Sequence, residues 1–230
     1  AQSRLKERLC PDSDVADKNE AFVIYDVGLG AGANALAALA CFRSLSGSSR
    51  PLQVISFERN LELLRFALKH KDKFPHFEGF ENAVEGILER GKWQAAGLQW
   101  ELRQGDFLQE IEKEIPKAHL VFFDPYSPHV NKEMWTTECF RRIRKKSREP
   151  LDGGTTLFTY SQATRIRAAL ISAGFFVGYG SATGVKLETT VASTNFGELK
   201  SPLGKPWLER WRKSDVRYPF DCPPDKESEI

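Results

Sequence analysis

The segment that most limits what this chain can fold into is Phe22-Val-Ile-Tyr-Asp-Val-Gly-Leu-Gly-Ala-Gly-Ala-Asn34. Its apolar opening predicts a buried strand over 22–27. Glycine at 28, 30 and 32 predicts a turn, and the alanine- and leucine-rich residues from Asn34 predict a helix. Without a Cβ, such a turn lets backbone approach a ligand closely. The first N–H groups of the following helix have no intrahelical acceptor and point to the same place. A second apolar run, over 52–58, ends in Glu58. A glycine turn followed by a strand-end carboxylate is how a doubly wound α/β sheet holds a nucleoside-bearing cofactor.

Strand and helix signals alternate through the rest of the chain. Leu61, Leu64 and Leu68 recur at helical spacing within 60–73, and Pro75 closes that stretch. A helix over 78–90 carries Phe80, Val84, Ile87 and Leu88 on one side. Further strands are predicted at 99–103, 120–123, 155–160, 175–179 and 188–193, with helices at 132–146 and 163–173. The expectation is an α/β fold with a mainly parallel seven-stranded sheet and an antiparallel last strand. Residues 1–20 are charged and weakly patterned, and are expected to form an N-terminal arm to a domain over 21–195. Residues 196–230 hold five prolines together with Trp207, Trp211 and Phe220, and predict a tail packed on that domain.

Composition narrows the setting. Of 230 residues, 41% are apolar and 28% charged, ordinary values for a globular domain. No apolar run approaches the ~18–20 residues of a membrane span, and the polar start shows no signal peptide. Cys10, Cys41, Cys139 and Cys222 are widely separated, so neither a metal site nor a disulfide framework is expected. A cytoplasmic protein is the reading that fits. Net charge is only +2, so any nucleic-acid binding must rest on local patches.

The glycine spacing is G-x-G-x-G after Asp26, not the G-x-G-x-x-G of dinucleotide dehydrogenases, and is closer to S-adenosylmethionine-dependent methyltransferases. Asp26, Gly28, Gly30, Gly32 and Asn34 are therefore the first cofactor-binding candidates. Glu58 can accept both ribose hydroxyls. Gly105-Asp106-Phe107 ends a third strand, where Asp106 can accept from an adenine amino group and Phe107 lie against the ring. Phe122-Phe-Asp-Pro-Tyr-Ser-Pro128 ends a fourth, with two prolines fixing the loop. There Asp124, beside cofactor and acceptor, can take an N–H bond from an acceptor amine and stabilise the charge that builds on it. Tyr126 can wall the acceptor pocket. An exposed strand-end charge at Glu58, a loop cap at Asp124 and a packed aromatic at Tyr126 remain as alternatives.

Asp-Val-Gly-Leu-Gly-Ala-Gly-Ala-Asn, Ile-Ser-Phe-Glu, Phe-Asp-Pro-Tyr-Ser-Pro-His-Val-Asn-Lys-Glu-Met-Trp-Thr and Gly-Gly-Thr-Thr-Leu-Phe-Thr-Tyr-Ser resemble one family. It is the methyltransferase domain of the enzymes that make 5-methylaminomethyl-2-thiouridine in tRNA, the MnmC type. The resemblance covers residues 22–195 and is most specific over 124–136. It implies a Rossmann-like class I fold, S-adenosylmethionine as methyl donor, and tRNA carrying wobble 5-aminomethyluridine as acceptor. It also implies that Gly28, Gly30 and Glu58 hold the cofactor, that Asp106 meets the adenine, and that Asp124 stands beside the reacting nitrogen. Tyr126, Ser127 and Lys186 fall on the substrate side. Where the family usually has Asp-Gly-Phe-Ala-Pro, this chain has Asp-Pro-Tyr-Ser-Pro, a stiffer loop that also resembles the Asp-Pro-Pro-Tyr motif of other amino-group methyltransferases. The basic residues between the last two strands are thinned to Lys186. Two-domain members carry a flavin-dependent oxidase half, so a separate oxidase partner enters the expectations.

Arg141, Arg142, Arg144, Lys145, Lys146 and Arg148 crowd one helix end, and the tail adds Lys200, Lys205, Arg210, Arg212, Lys213 and Arg217 among its tryptophans. Basic residues interleaved with aromatics can grip phosphates and stack on bases. Other readings are a small-molecule or protein amine as acceptor, a nicotinamide-dependent oxidoreductase, and a non-catalytic nucleotide-binding module.

Overall fold

Two compact units divide the chain, Ala1–Asp124 and Pro125–Ile230. The computed structural model describes residues 4–10, 20–45, 49–182 and 188–223. Residues 11–19 of the arm, the loop at 46–48, Lys186, and residues 224–230 of the tail lie outside these. The first unit runs through α1 (Leu5–Leu9), β1 (Phe22–Val27), α2 (Ala33–Arg43), β2 (Leu52–Glu58), α3 (Glu62–Lys69), α4 (Glu81–Arg90), β3 (Lys92–Ala95), β4 (Leu98–Gln104), α5 (Phe107–Glu110) and β5 (Leu120–Phe123).

All six residues of β1 are buried, as expected of a central strand covered on both faces. It pairs in parallel with β2 on one side and β5 on the other. β4 adds to β2, also in parallel, and β3 pairs with β4 antiparallel. Because β1, β2, β4 and β5 run the same way, their carboxyl ends share one edge of the sheet. Gly28, Glu58, Gly105 and Asp124 stand at those ends.

The described residues hold eight strands, one more than expected. The addition is β3, four residues of which none is fully buried, so no apolar alternation marks it. The helix expected over 60–73 stops at Lys69 and yields to a 3-10 turn, Lys71–Lys73. The helix expected over 132–146 is likewise a 3-10 turn, Lys132–Trp135, followed by α6 (Thr137–Lys145). Thr136 causes the break: its backbone is extended, and its Oγ1 accepts the Cys139 N–H at 3.2 Å, restarting the helix as an N-cap.

The second unit continues with β6 (Thr156–Thr159), α7 (Thr164–Ser172), β7 (Phe176–Gly180), β8 (Thr189–Ser193) and α8 (Lys205–Arg212). β8 lies between β6 and β7 and is antiparallel to both. Residues 201–203 run along β7: Tyr179 N–H donates to the Ser201 carbonyl at 2.8 Å and Leu203 N–H to that of Val177 at 2.9 Å. Gly178 makes this approach possible, since a Cβ there would stand 2.6 Å from the Ser201 oxygen. Downstream, Trp207 is buried, and the Phe220 ring lies under the Arg165 guanidinium at 4.5 Å. Asp221 accepts the first free N–H groups of α6, from Thr137 at 2.9 Å and Glu138 at 3.0 Å. No described helix is long and apolar enough to cross a membrane.

Candidate active site

The glycine turn is held to the end of β2 by backbone and by one carboxylate. The N–H groups of Gly28 and Leu29 donate to the Phe57 carbonyl at 3.0 and 3.4 Å. Gly30 N–H donates to Glu58 Oε2 at 3.1 Å, while Glu58 Oε1 accepts from the N–H groups of Arg59 at 2.8 Å and Asn60 at 3.1 Å. Glu58 thus fixes the turn to the strand end as well as offering its remaining lone pairs. At Gly32 the backbone is left-handed, φ 78°, and a Cβ would stand 3.3 Å from Leu64 Cδ1. Gly32 caps α2, so Asn34 falls in that helix's first turn, half-buried. The ring Nε2 of His76 lies 3.1 Å from the Ala31 carbonyl and braces the turn from outside. Nothing local in the sequence marks His76, which arrives from a 3-10 turn 45 residues away.

Glu58→Ala removes the acceptor of three N–H groups at once. Charged hydrogen bonds contribute ~1.5–3 kcal/mol each, so S-adenosylhomocysteine affinity should fall by at least about tenfold. Calorimetric titration checks this, and an unchanged affinity takes Glu58 out of the site.

Asp26 is the one carboxylate in β1, 1% exposed. Its Oδ2 accepts the Ser56 hydroxyl at 2.8 Å, and Ser56 Oγ accepts Trp100 Nε1–H at 2.9 Å. Its Oδ1 is buried with no hydrogen-bond partner among the described residues. Burial pushes the Asp26 carboxyl up to about 7; the Ser56 bond opposes this, and the Asp124 and Glu58 carboxylates add to it. The strand ends therefore gather three carboxylates near enough to feel one another.

Asp124 is exposed, and its N–H donates to the Val27 carbonyl at 2.9 Å, which ties the end of β5 to the end of β1. Asp106 stands at the end of β4 with both oxygens engaged. Oδ1 caps α5 through the Leu108 N–H at 3.0 Å, and Oδ2 accepts from Arg59 Nη2 at 2.6 Å. Contact with an adenine amino group would have to be shared with Arg59, a residue the sequence reading passed over although it directly follows Glu58. Phe107 is only 6% exposed, with its ring edge-on to Phe57 at 5.1 Å and 6.4 Å from Phe123. The expected stacking face is thus turned to the core, because aromatic side chains of β2 and β5 enclose it.

The second unit begins with the proline loop. Tyr126 is 62% exposed, and its carbonyl accepts Trp135 Nε1–H at 2.9 Å. The Ser127 carbonyl accepts from Val130 at 2.9 Å and Asn131 at 3.0 Å, folding the loop on itself and leaving both side chains outward. Lys186 lies outside the described residues. Among those residues, no group of three or more His, Cys, Asp or Glu side chains could hold a metal ion.

Residues 80–195 match the family profile described as S-adenosyl-L-methionine-dependent methyltransferase. The chain belongs to that family. This methyltransferase is similar to the tRNA 5-methylaminomethyl-2-thiouridine biosynthesis bifunctional protein MnmC of Marinomonas sp. (strain MWYL1), with 28% identity over 225 residues, 93% of this chain and 31% of that protein. The protein of the same name from Cupriavidus metallidurans is 30% identical over 183 residues, 75% of this chain and 26% of that one. The methyltransferase thus spans less than a third of either relative. Among solved structures, MNMC2 from Aquifex aeolicus superposes with a TM-score of 0.69 at 24% identity, covering 98% of this chain and 66% of that chain. That likeness shows the Rossmann-like class I methyltransferase fold.

The cofactor of the methyltransferase is S-adenosylmethionine. The residues present fit it. A buried, unpartnered Asp26 oxygen and the carboxylates of Glu58 and Asp124 suit a ligand that carries positive charge. The left-handed glycines leave the turn open to close approach.

Proposed function

We propose that this methyltransferase acts on nitrogen, and that its acceptor is the primary amine of a 5-aminomethyl group on the wobble uridine of tRNA. The observation that carries the proposal is Asp124: an exposed carboxylate locked to the end of β1 beside the glycine turn, opening a loop stiffened by Pro125 and Pro128. The names of the MnmC relatives supply the substrate class.

In this reading Gly28, Gly30, Gly32, Asn34, Asp26 and Glu58 hold the cofactor, with Asp106 at the adenine. When bound, the cofactor supplies an electrophilic methyl group on a sulfonium. The chain's own residues prepare the nucleophile. Asp124 accepts one N–H of the neutral amine, which turns the nitrogen lone pair toward the methyl carbon. As the C–N bond forms and the C–S bond breaks, positive charge grows on nitrogen, and the Asp124 carboxylate stabilises it. The surplus proton then leaves the secondary ammonium for solvent. The roles assigned to the acceptor amine fall to Tyr126, Ser127 and Lys186. A domain over 21–195 with a packed tail, a cytoplasmic setting and an oxidase acting alongside complete the proposal.

The test is incubation with S-adenosylmethionine and tRNA bearing the free amine, followed by mass spectrometry of its nucleosides. One methyl added to the 5-aminomethyl group, with KM rising steeply with salt, supports the reading, because phosphate contacts release counterions. Methylation of a small amine with no salt dependence, and none of tRNA, overturns it.

A further inference from the structure

The second unit contains a cavity of about 600 Å³ between α6, α7, α8 and residues 221–223. Its size falls within the ~300–1,000 Å³ of small-ligand sites. Arg141, Ile171, Trp207, Trp211, Asp221 and Cys222 are among the residues that line it. From these walls we infer that the cavity takes an unpaired nucleotide of the RNA substrate, with its base against Trp211 and its phosphate on Arg141. The inference rests on the RNA acceptor proposed above and adds a contact made by residues other than those assigned to the reacting base.

Charge selects the ligand. Neighbouring cations on α6 are already neutralised: Arg142 pairs with Glu138 at 2.9 Å, and Arg144 meets both oxygens of Glu149 at 2.9 and 2.8 Å. Arg141 is exposed and has no partner among the described residues. The side chains of Lys145, one turn further along α6, and of Lys213, just past α8, are also exposed and without a partner among the described residues. The one carboxylate among the described lining residues, Asp221, is engaged with two N–H groups of α6. Among the described lining residues Arg141 is therefore the cation left for a ligand's phosphate.

The aromatic wall selects it further. Trp211 Nε1–H donates to the Arg217 carbonyl at 2.9 Å, and its ring meets Tyr218 edge-on, so the indole is held before any ligand arrives. A fixed indole beside an unpaired guanidinium matches a flat base with a phosphate attached. An acidic peptide would satisfy the cation and leave the indole without a flat partner.

Cys222 gives a direct readout, since it lines the cavity and is half-buried. Alkylation by iodoacetamide, mapped by peptide mass spectrometry, should slow at Cys222 by about fivefold or more under saturating tRNA, with Cys10 and Cys41 as internal references. Arg141→Ala should weaken tRNA binding by about five- to tenfold at 0.1 M salt and reduce the salt slope by about one. Trp211→Leu should weaken it by about tenfold while Trp211→Phe preserves it, as stacking requires. Unchanged S-adenosylhomocysteine affinity reports that each variant is folded. An unprotected Cys222, or wild-type affinity and slope in Arg141→Ala, overturns the inference. Equal protection by heparin, which has no bases, overturns it too. If the unaltered protein methylates no tRNA, the proposed function fails and this contact falls with it. If tRNA is methylated and Cys222 stays open, only the contact fails.

Discussion

Asp124→Ala lowers methyl transfer to the amine by about 10²–10⁴-fold, the usual loss when a positioned proton acceptor is removed. Alanine leaves the amine with no acceptor for its N–H and no charge to offset the growing ammonium. Asp124→Asn keeps an acceptor and loses the charge, so its rate falls between the two. Single-turnover kinetics with saturating cofactor read the chemical step directly. S-adenosylhomocysteine affinity should stay within about fivefold, because only the methylated, reacting species needs the carboxylate beside nitrogen. An alanine variant within about threefold of wild-type rate removes Asp124 from the chemistry.

The second large effect is a pH dependence set by Asp26. Its carboxyl titrates at 3.8 in an unfolded chain and at about 7 in the fold. Between those values the folded state keeps a proton that the unfolded state has released, so stability falls as pH rises from about 4 to about 7 and then levels off. The interval corresponds to roughly 4 kcal/mol. Urea unfolding across that range should show the decline, and Asp26→Asn should flatten it. Equal slopes in the two proteins assign the decline to other groups. A cationic ligand reverses the preference, since it favours the ionised carboxylate. S-adenosylmethionine should therefore bind more tightly as pH rises through about 7, releasing up to about one proton per molecule bound. Titration calorimetry in buffers of different ionisation enthalpy counts that proton.

What the sequence disclosed follows from which forces are local. The strands β1, β2 and β5 were legible because each is a buried run bounded by polar or glycine residues, and Gly28, Glu58 and Asp124 could be placed at strand ends for the same reason. β3 was not, because an exposed strand of four residues is held by pairing with β4 and has no apolar face to announce it. α8 was hidden among prolines, although Pro206 stands in its first turn, where proline favours a start. Within the site, Ser56 beneath Asp26, Arg59 on Asp106 and His76 on Ala31 join residues 30, 47 and 45 positions apart. No spacing rule reaches that far. The run of cations on α6 is uniform in sequence, and the carboxylates beside Arg142 and Arg144 separate those two from Arg141 and Lys145.

The short ribbon laid along β7 has a consequence for how this protein behaves in concentrated solution. An outermost strand with unsatisfied amides is a template on which another molecule can add itself. Here that template is already occupied from within, by Ser201 and Leu203 bonded to Tyr179 and Val177, and the absence of a side chain at Gly178 lets the cover lie flush. A bulkier residue at 178, or a shortened form ending ahead of Ser201, would bare the strand and invite intermolecular sheet growth.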